Sequence, residues 1–194
     1  MPIVIFDMDG TLTRRQLDFD GIREEIGDLD EPLLEAMERM PPAARRRAEA
    51  ILHRHEASAA ATSDLQPGAD EVVAALRRHR WPIALMTRNS RDSVRQFLER
   101  HRLTFDVVRT REDGRIKPDP GPVHDICEAL GGRGEDAWVV GDFHFDILCG
   151  RAAGSRTVLY LEPLLPRPEW ADEADYCISH LPDLLGILGL GTTA

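Results

Sequence analysis

The sequence predicts an α/β fold: a parallel sheet with helices on both faces and a small all-helical segment inserted after the first strand. Three observations predict it. Ile3, Val4, Ile5 and Phe6 form an apolar run without polar alternation, which is how a strand covered on both faces reads. From residue 69 onward, short apolar runs alternate with helix-patterned segments across short connections, the pattern of a sheet wound from repeated strand and helix. Between these two regions, residues 14–66 are rich in Arg, Glu and Ala and hold no β-branched run.

Each element follows from its own chemistry. The first strand ends at Asp7, and Gly10 lets the backbone turn sharply behind it. Asp20 is placed to cap a helix over residues 21–27, and Glu31 to Met40 forms a second short helix stopped by Pro41 and Pro42. From Ala43 to about Ala61 the positions Ala44, Ala48, Ile51, Leu52, His55 and Ala59 follow helical spacing, with charges elsewhere. Pro67 and Gly68 close the insert. There follow a helix over 69–79, a strand Ile83 to Thr87, a helix over 90–101 and a strand Phe105 to Arg109. A loop through Gly114 leads to a helix over 120–130, in which Asp119 caps and Pro120 starts the first turn. A strand Ala137 to Asp142, a helix over 144–153, a strand Thr157 to Leu161, a weak strand Tyr176 to Ile178 and a terminal helix complete the chain, with Gly189 to Ala194 expected to fray. The expected organisation is a Rossmann-like core of residues 1–13 and 67–194 and a helical insert of residues 14–66. Hinges between them are expected near Thr13 to Leu17 and Gln66 to Gly68.

Composition narrows the function. A net charge of -10 and a pI near 5.2 argue against nucleic acid or an anionic membrane as partner, since both need a cationic surface. A small anionic substrate remains compatible, because a local cationic pocket overrides the global field. No segment holds about 18 consecutive apolar residues, and the N-terminus lacks the charged start and cleavage site of a signal peptide, so a cytoplasmic location is expected. Cys127, Cys149 and Cys177 are widely spaced and odd in number, which indicates buried, reduced thiols and neither a disulfide framework nor a zinc site. Nothing in the sequence fixes the oligomeric state.

In a doubly wound sheet, ligands bind at the carboxyl ends of the strands. The residues at those ends here are Asp7 and Asp9, then Thr87, then Asp142. Asp7 and Asp9 lie two apart, so an extended chain projects both carboxylates to one side. Such a pair is stable only with a cation between the two groups or with one of them protonated. Asp146 follows Asp142 by four residues and stays on the same side of a beginning helix. Lys117 is the only lysine among the 24 Lys and Arg residues, and it stands where a loop can hold it over this edge. Singly, each residue is compatible with scaffold. Jointly, three strand-end carboxylates, a hydroxyl and the single lysine on one edge are hard to explain without chemistry.

These motifs resemble those of the haloacid dehalogenase superfamily of aspartate-nucleophile phosphatases. Asp7-Met8-Asp9-Gly10-Thr11-Leu12-Thr13 is similar to its first motif, Thr87-Arg88-Asn89 to its second, Lys117-Pro118 to its third, and Gly141-Asp142 with Asp146 to its fourth. The insert resembles the helical cap of the phosphoglycolate-phosphatase-like branch, although it is short for that branch. The resemblance implies that Asp7 attacks phosphorus and forms an aspartyl-phosphate, while Asp9 protonates the leaving alkoxide and then deprotonates water. It implies Mg²⁺ held by Asp7, the Asp9 carbonyl and Asp142, with Asp146 acting in the outer shell or through water. Thr87 and Lys117 would bind the transferring phosphoryl oxygens. Gly10, Arg88, Asn89 and His144 are candidates for contact with the substrate. Asp18 and Phe19 stand where the chain enters the insert and are candidates for its entrance.

Rival readings are separable. A dehalogenase does not need Asp9 as acid, and a phosphonatase needs a cap lysine that residues 14–66 lack. A phosphomutase, or a non-catalytic phosphate-binding protein on the same scaffold, remains the alternative. A receiver module would place its acidic pair side by side and carry no helical insert. Arg45, Arg46 and Arg47 fan around a helix and read as a solvated face, and His53 and His55 face different directions and make no metal pair. The expected activity is Mg²⁺-dependent hydrolysis of a small phosphorylated metabolite.

Overall fold

The structure, a computed structural model, describes residues 1–27 and 31–191. Six strands, β1 (Ile3–Phe6), β2 (Ile83–Met86), β3 (Val107–Arg109), β4 (Ala137–Gly141), β5 (Arg156–Tyr160) and β6 (Tyr176–Ile178), form one sheet in the order β3-β2-β1-β4-β5-β6. Every neighbouring pair is parallel. This is a Rossmann-like sheet. Chain order reverses between β1 and β4, and at that switch point the carboxyl ends of two adjacent strands diverge into a crevice.

Strand alternation explains why the sheet is covered on both faces. Val4, Phe6, Ile83, Leu85, Trp138 and Val140 turn to one side, where they pack with α4 (Ala69–Arg78), α5 (Arg91–His101) and α8 (Asp183–Ile187). Ile3, Ile5, Ala84, Met86 and Val139 turn to the other, against α6 (Gly121–Ala129) and α7 (His144–Ala152). Every residue of β1, β2 and β4 is buried, so apolar runs without alternation are what these strands require. The edge strands differ. β3 is half-buried throughout, and β6 exposes Tyr176 and Cys177. The expectation of three buried thiols therefore fails at Cys177, whose strand has a neighbour on one side only.

Helices α1 (Phe19–Ile26), α2 (Leu33–Arg39) and α3 (Pro42–Thr62) fill the span between β1 and α4 and share a small apolar cluster of Ile22, Leu33, Met37, Ala48 and Leu52. Asp18, not Asp20, caps α1, with its side chain accepting from the Gly21 N–H at 3.0 Å. Pro42 starts α3 instead of only ending α2, because a missing N–H costs nothing in a helix's first turn. Sequence spacing located the inner face of α3 only in part. Ala48, Ile51 and Leu52 are buried, but Ala44 is exposed, and the stripe continues through Glu56 and Ala60. Arg45, Arg46 and Arg47 are exposed.

The two connections to the insert run side by side. Arg14 N donates to Asp64 O at 2.9 Å and Gln66 N donates to Leu12 O at 2.8 Å. Helix α3 also packs on α5, where Arg100 Nε donates to the Ser63 carbonyl at 2.8 Å. These contacts hold the insert over the carboxyl edge of the sheet.

Candidate active site

The end of β1 turns back on itself, with Leu12 N and Thr13 N both donating to the Met8 carbonyl at 2.9 Å. Gly10 makes this turn possible. Its φ is 85°, a region that disfavours side chains, and a Cβ there would collide with the Asp142 carboxylate. The turn thus brings β1's carboxylates against the end of β4. Asp7, Asp142 and Asp146 are all buried, and each offers a carboxylate oxygen within 4.8 Å of the others.

Lys117 knits this cluster. Its Nζ donates to Asp7 Oδ1 at 2.5 Å and to Asp146 Oδ1 at 2.6 Å, and the residue is 3 % exposed. Phe143 N holds the other oxygen of Asp146 at 3.1 Å. Thr11 Oγ1 donates to Asp142 Oδ1 at 3.1 Å. Asp142 Oδ2 accepts from Arg15 Nε at 2.9 Å and Nη2 at 2.5 Å. Asp9 is set apart from the others: Asn89 Nδ2 donates to its Oδ2, and Thr13 Oγ1 donates to its Oδ1 at 3.2 Å. Thr87 is buried, and its Oγ1 accepts from Asn89 N at 3.1 Å.

Burial dominates the electrostatics. It pushes Asp7 well above the ordinary carboxylate range, opposed by the Lys117 charge and reinforced by Asp146 and Asp142. Burial raises Asp9 to about 6, with the Asn89 and Thr13 hydrogen bonds opposing. Asp142 also rises to about 6, through burial and then the Asp146 charge, against Arg15. For Lys117, burial works against the ammonium, but Asp146 and Asp7 outweigh it and raise its pKa. The cluster is short of positive charge, and its donors are all oxygens. A hard divalent cation suits that donor set, so the residues fit a bound Mg²⁺.

The strand-end residues open into a cavity of about 540 Å³, far more room than a phosphoryl group needs. Asp7, Asp9, Thr87, Arg88, Asn89, Lys117, Asp142 and Asp146 line it, and so do Asp18 and Phe19. Arg88 reaches across it: Nη2 donates to Glu35 of α2 at 2.6 and 2.8 Å, and the guanidinium lies 4.6 Å from the Phe145 ring centroid.

His144 does not join them. It stacks on Trp170 with centroids 4.6 Å apart and contacts Glu173 Oε2 at 3.1 Å, because the helix turn that aims Asp146 at Lys117 sends His144 to the opposite flank. Gly10 serves by close approach of backbone to Asp142, and it is not a lining residue. Sequence reasoning missed Arg15 and Glu56, which also line the cavity. Arg15 stood in plain view directly after the first motif. Glu56 continues the four-residue spacing of Ala48 and Leu52, a signal masked by its charge.

A parallel sheet with an acidic, lysine-bridged centre at its switch point defines a doubly wound α/β enzyme scaffold. The chain belongs to the haloacid dehalogenase-like hydrolase family, whose sequence profile matches residues 4–160. It is 35% identical over 122 residues to the pyrophosphatase PpaX of Bacillus mycoides, a match that covers 61% of this chain and 57% of that one. The chain thus spans little more than half the length of that relative. The PpaX of Halalkalibacterium halodurans is 27% identical over 208 residues, with 96% of each chain covered. Among solved structures, a hydrolase from Pseudomonas syringae superposes with a TM-score of 0.82 at 20% identity, over 97% of this chain and 98% of the other. That likeness concerns the fold.

Proposed function

We propose that this chain is a Mg²⁺-dependent phosphomonoester hydrolase that works through an aspartyl-phosphate on Asp7, with residues 14–66 forming a cap over the site. The observation that carries the reading is Lys117, buried and bridging Asp7 to Asp146 beside Asp142 at the switch point of the sheet. A cation that close leaves one oxygen of Asp7 occupied and the other available to a phosphorus. The family and the pyrophosphatase relatives support phosphoryl chemistry in general.

Asp7 and Asp142, with the Asp9 carbonyl, would hold the ion, and Asp146 would act in its outer shell or through water. Bound there, Mg²⁺ supplies positive charge that offsets the carboxylates and the phosphoryl oxygens. The remaining work falls to the chain. Lys117 and Thr87 orient the phosphoryl oxygens so that phosphorus faces Asp7 in line with the ester oxygen. The Asp7 oxygen bonds to phosphorus as the ester P–O bond breaks, and the proton of Asp9 passes to the leaving oxygen. Water then attacks the phosphorus of the aspartyl-phosphate, Asp9 takes back a proton, and phosphate departs with Asp7 restored. A carboxyl raised to about 6 by burial suits both halves of that exchange.

The test is phosphate release from a panel of phosphomonoesters, with Mg²⁺ and with EDTA, for the wild type and Asp7→Asn. Metal-dependent release that the variant loses supports the reading. No release across the panel from folded, Mg²⁺-loaded protein overturns it.

A further inference from the structure

The phosphoryl steps assign no contact with the substrate to one buried charge, which acts there only through its field on Asp9. Glu56 lies on α3, lines the same cavity as the strand-end residues, and is only 3 % exposed. Its Oε1 pairs with Arg111 Nη1, from the turn that follows β3. Arg111 also donates to the Arg88 carbonyl at 3.3 Å. The core thus fixes where this carboxylate sits, although the residue belongs to the insert. The second oxygen, Oε2, is buried and has no hydrogen-bond partner among the described residues. Buried carboxylate oxygens are ordinarily paired, so an unpaired one on a residue that lines the cavity is an acceptor without its donor.

The remaining charges of the cavity are largely spoken for. Arg15 pairs with Asp142 and Arg88 with Glu35. Arg23 of α1 lines the cavity too, with its Nε buried and unpartnered, but it is only half-buried and is not pinned as Glu56 is. Leu33, Leu34 and Leu52 supply the apolar wall between them.

We propose that Glu56 is the specificity-determining acceptor of this site, selecting phosphate esters whose leaving group carries a hydroxyl or ammonium donor over those whose leaving group is itself an anion. The proposal rests on the phosphomonoesterase reading above and sharpens it. A phosphoryl group held by Lys117 and Thr87 directs its leaving group toward the insert, where a hydroxyl or ammonium would complete Oε2. A carboxylate or a second phosphate would instead meet a fixed negative charge, and like charges repel. By this logic the chain prefers a small polyol or amino-alcohol phosphate to phosphoglycolate or pyrophosphate.

The experiment measures kcat/KM with Mg²⁺ on glycerol phosphate, phosphoethanolamine, phosphoglycolate, pyrophosphate and p-nitrophenyl phosphate, for the wild type and Glu56→Gln. In the wild type, the donor-bearing esters exceed the two anionic substrates by about tenfold or more. In Glu56→Gln, kcat/KM for phosphoethanolamine relative to phosphoglycolate, two esters that both need Asp9 to protonate an alkoxide, falls by about tenfold. Each ratio is taken within one preparation, so a smaller folded fraction cancels. A Glu56 that only latches insert to core through Arg111 lowers all substrates together. Unchanged ratios, or a wild type that favours phosphoglycolate or pyrophosphate, overturn the assignment while leaving the phosphatase reading standing. A wild type inactive on every substrate, p-nitrophenyl phosphate included, overturns both.

Discussion

The two walls of the cavity are built on different principles. On the sheet side, Asp7, Asp9, Thr87 and Asp142 stand at or just beyond strand ends, and Lys117 is locked between two carboxylates. On the insert side, Arg23, Leu52 and Glu56 project from helix faces, and a partly buried pair, Arg88 with Glu35, crosses the gap. The sheet wall cannot shift without breaking the core. The insert wall rests on a small apolar cluster, two paired linkers and contacts with α5. Rigid parts suit a reaction that is the same for every substrate, and separately packed parts suit the portion of a substrate that varies.

If that division holds, substitutions on the sheet wall lower activity on every ester, and those on the insert wall change which ester is favoured. The largest effect is expected of Asp7→Asn, which removes the attacking oxygen and should lower kcat on every substrate by on the order of 10⁴-fold or more. A variant active on even one ester at near-normal rate would break the division. Next comes Lys117→Ala. It removes one stabiliser of the phosphoryl charge, for a loss of about 10²- to 10³-fold in kcat. It also strands two buried carboxylates, a destabilisation on the order of 3–5 kcal/mol readable by urea unfolding. Thermal stability and kcat are therefore expected to fall together.

Smaller is the effect of Glu35→Gln. Its bridge to Arg88 is partly exposed and worth about 1 kcal/mol at most, so KM should rise severalfold with kcat nearly unchanged, and added salt should mimic it in the wild type. A collapse of kcat would place Glu35 with the sheet wall instead.

The smallest effect lies away from the cavity. Asp106 accepts from Ile83 N at 2.8 Å and from Arg77 Nη1 at 2.6 Å. Burial works against its carboxylate, but Arg77 and the Ile83 N–H outweigh it and hold the pKa below the ordinary aspartate value. A lowered folded-state pKa contributes stability above the unfolded value that is lost as pH falls through the folded one. Unfolding free energy should therefore drop less steeply below pH 4 in Asp106→Asn than in the wild type, with activity untouched. Identical acid limbs would remove Asp106 from that role.

The same contrast explains what the sequence made legible. A buried parallel strand needs an unbroken apolar run, so Ile3–Phe6 and Ala137–Gly141 announce themselves, and the residues that follow them fall at one edge by topology alone. The single lysine could be singled out for the same reason, since its loop had to lie over that edge. Helix faces give no such guarantee. Phe143 and Phe145 line the cavity while His144 between them packs on Trp170, a partition decided by the rotation of α7. Glu56 read as solvent-facing because a charge in an amphipathic helix ordinarily is. Its burial depends on Arg111, 55 residues away in sequence.

The central claim is that the sheet wall carries a covalent phosphoryl step on Asp7 whatever the insert selects. Its most direct test is rapid acid quenching of the Mg²⁺-loaded protein during turnover of a phosphorus-labelled ester, followed by peptide mapping of the label. The account predicts label on the peptide bearing Asp7 in the wild type and in Glu56→Gln alike, and none in Asp7→Asn. Label on another residue, or turnover with label never found on protein, would contradict it.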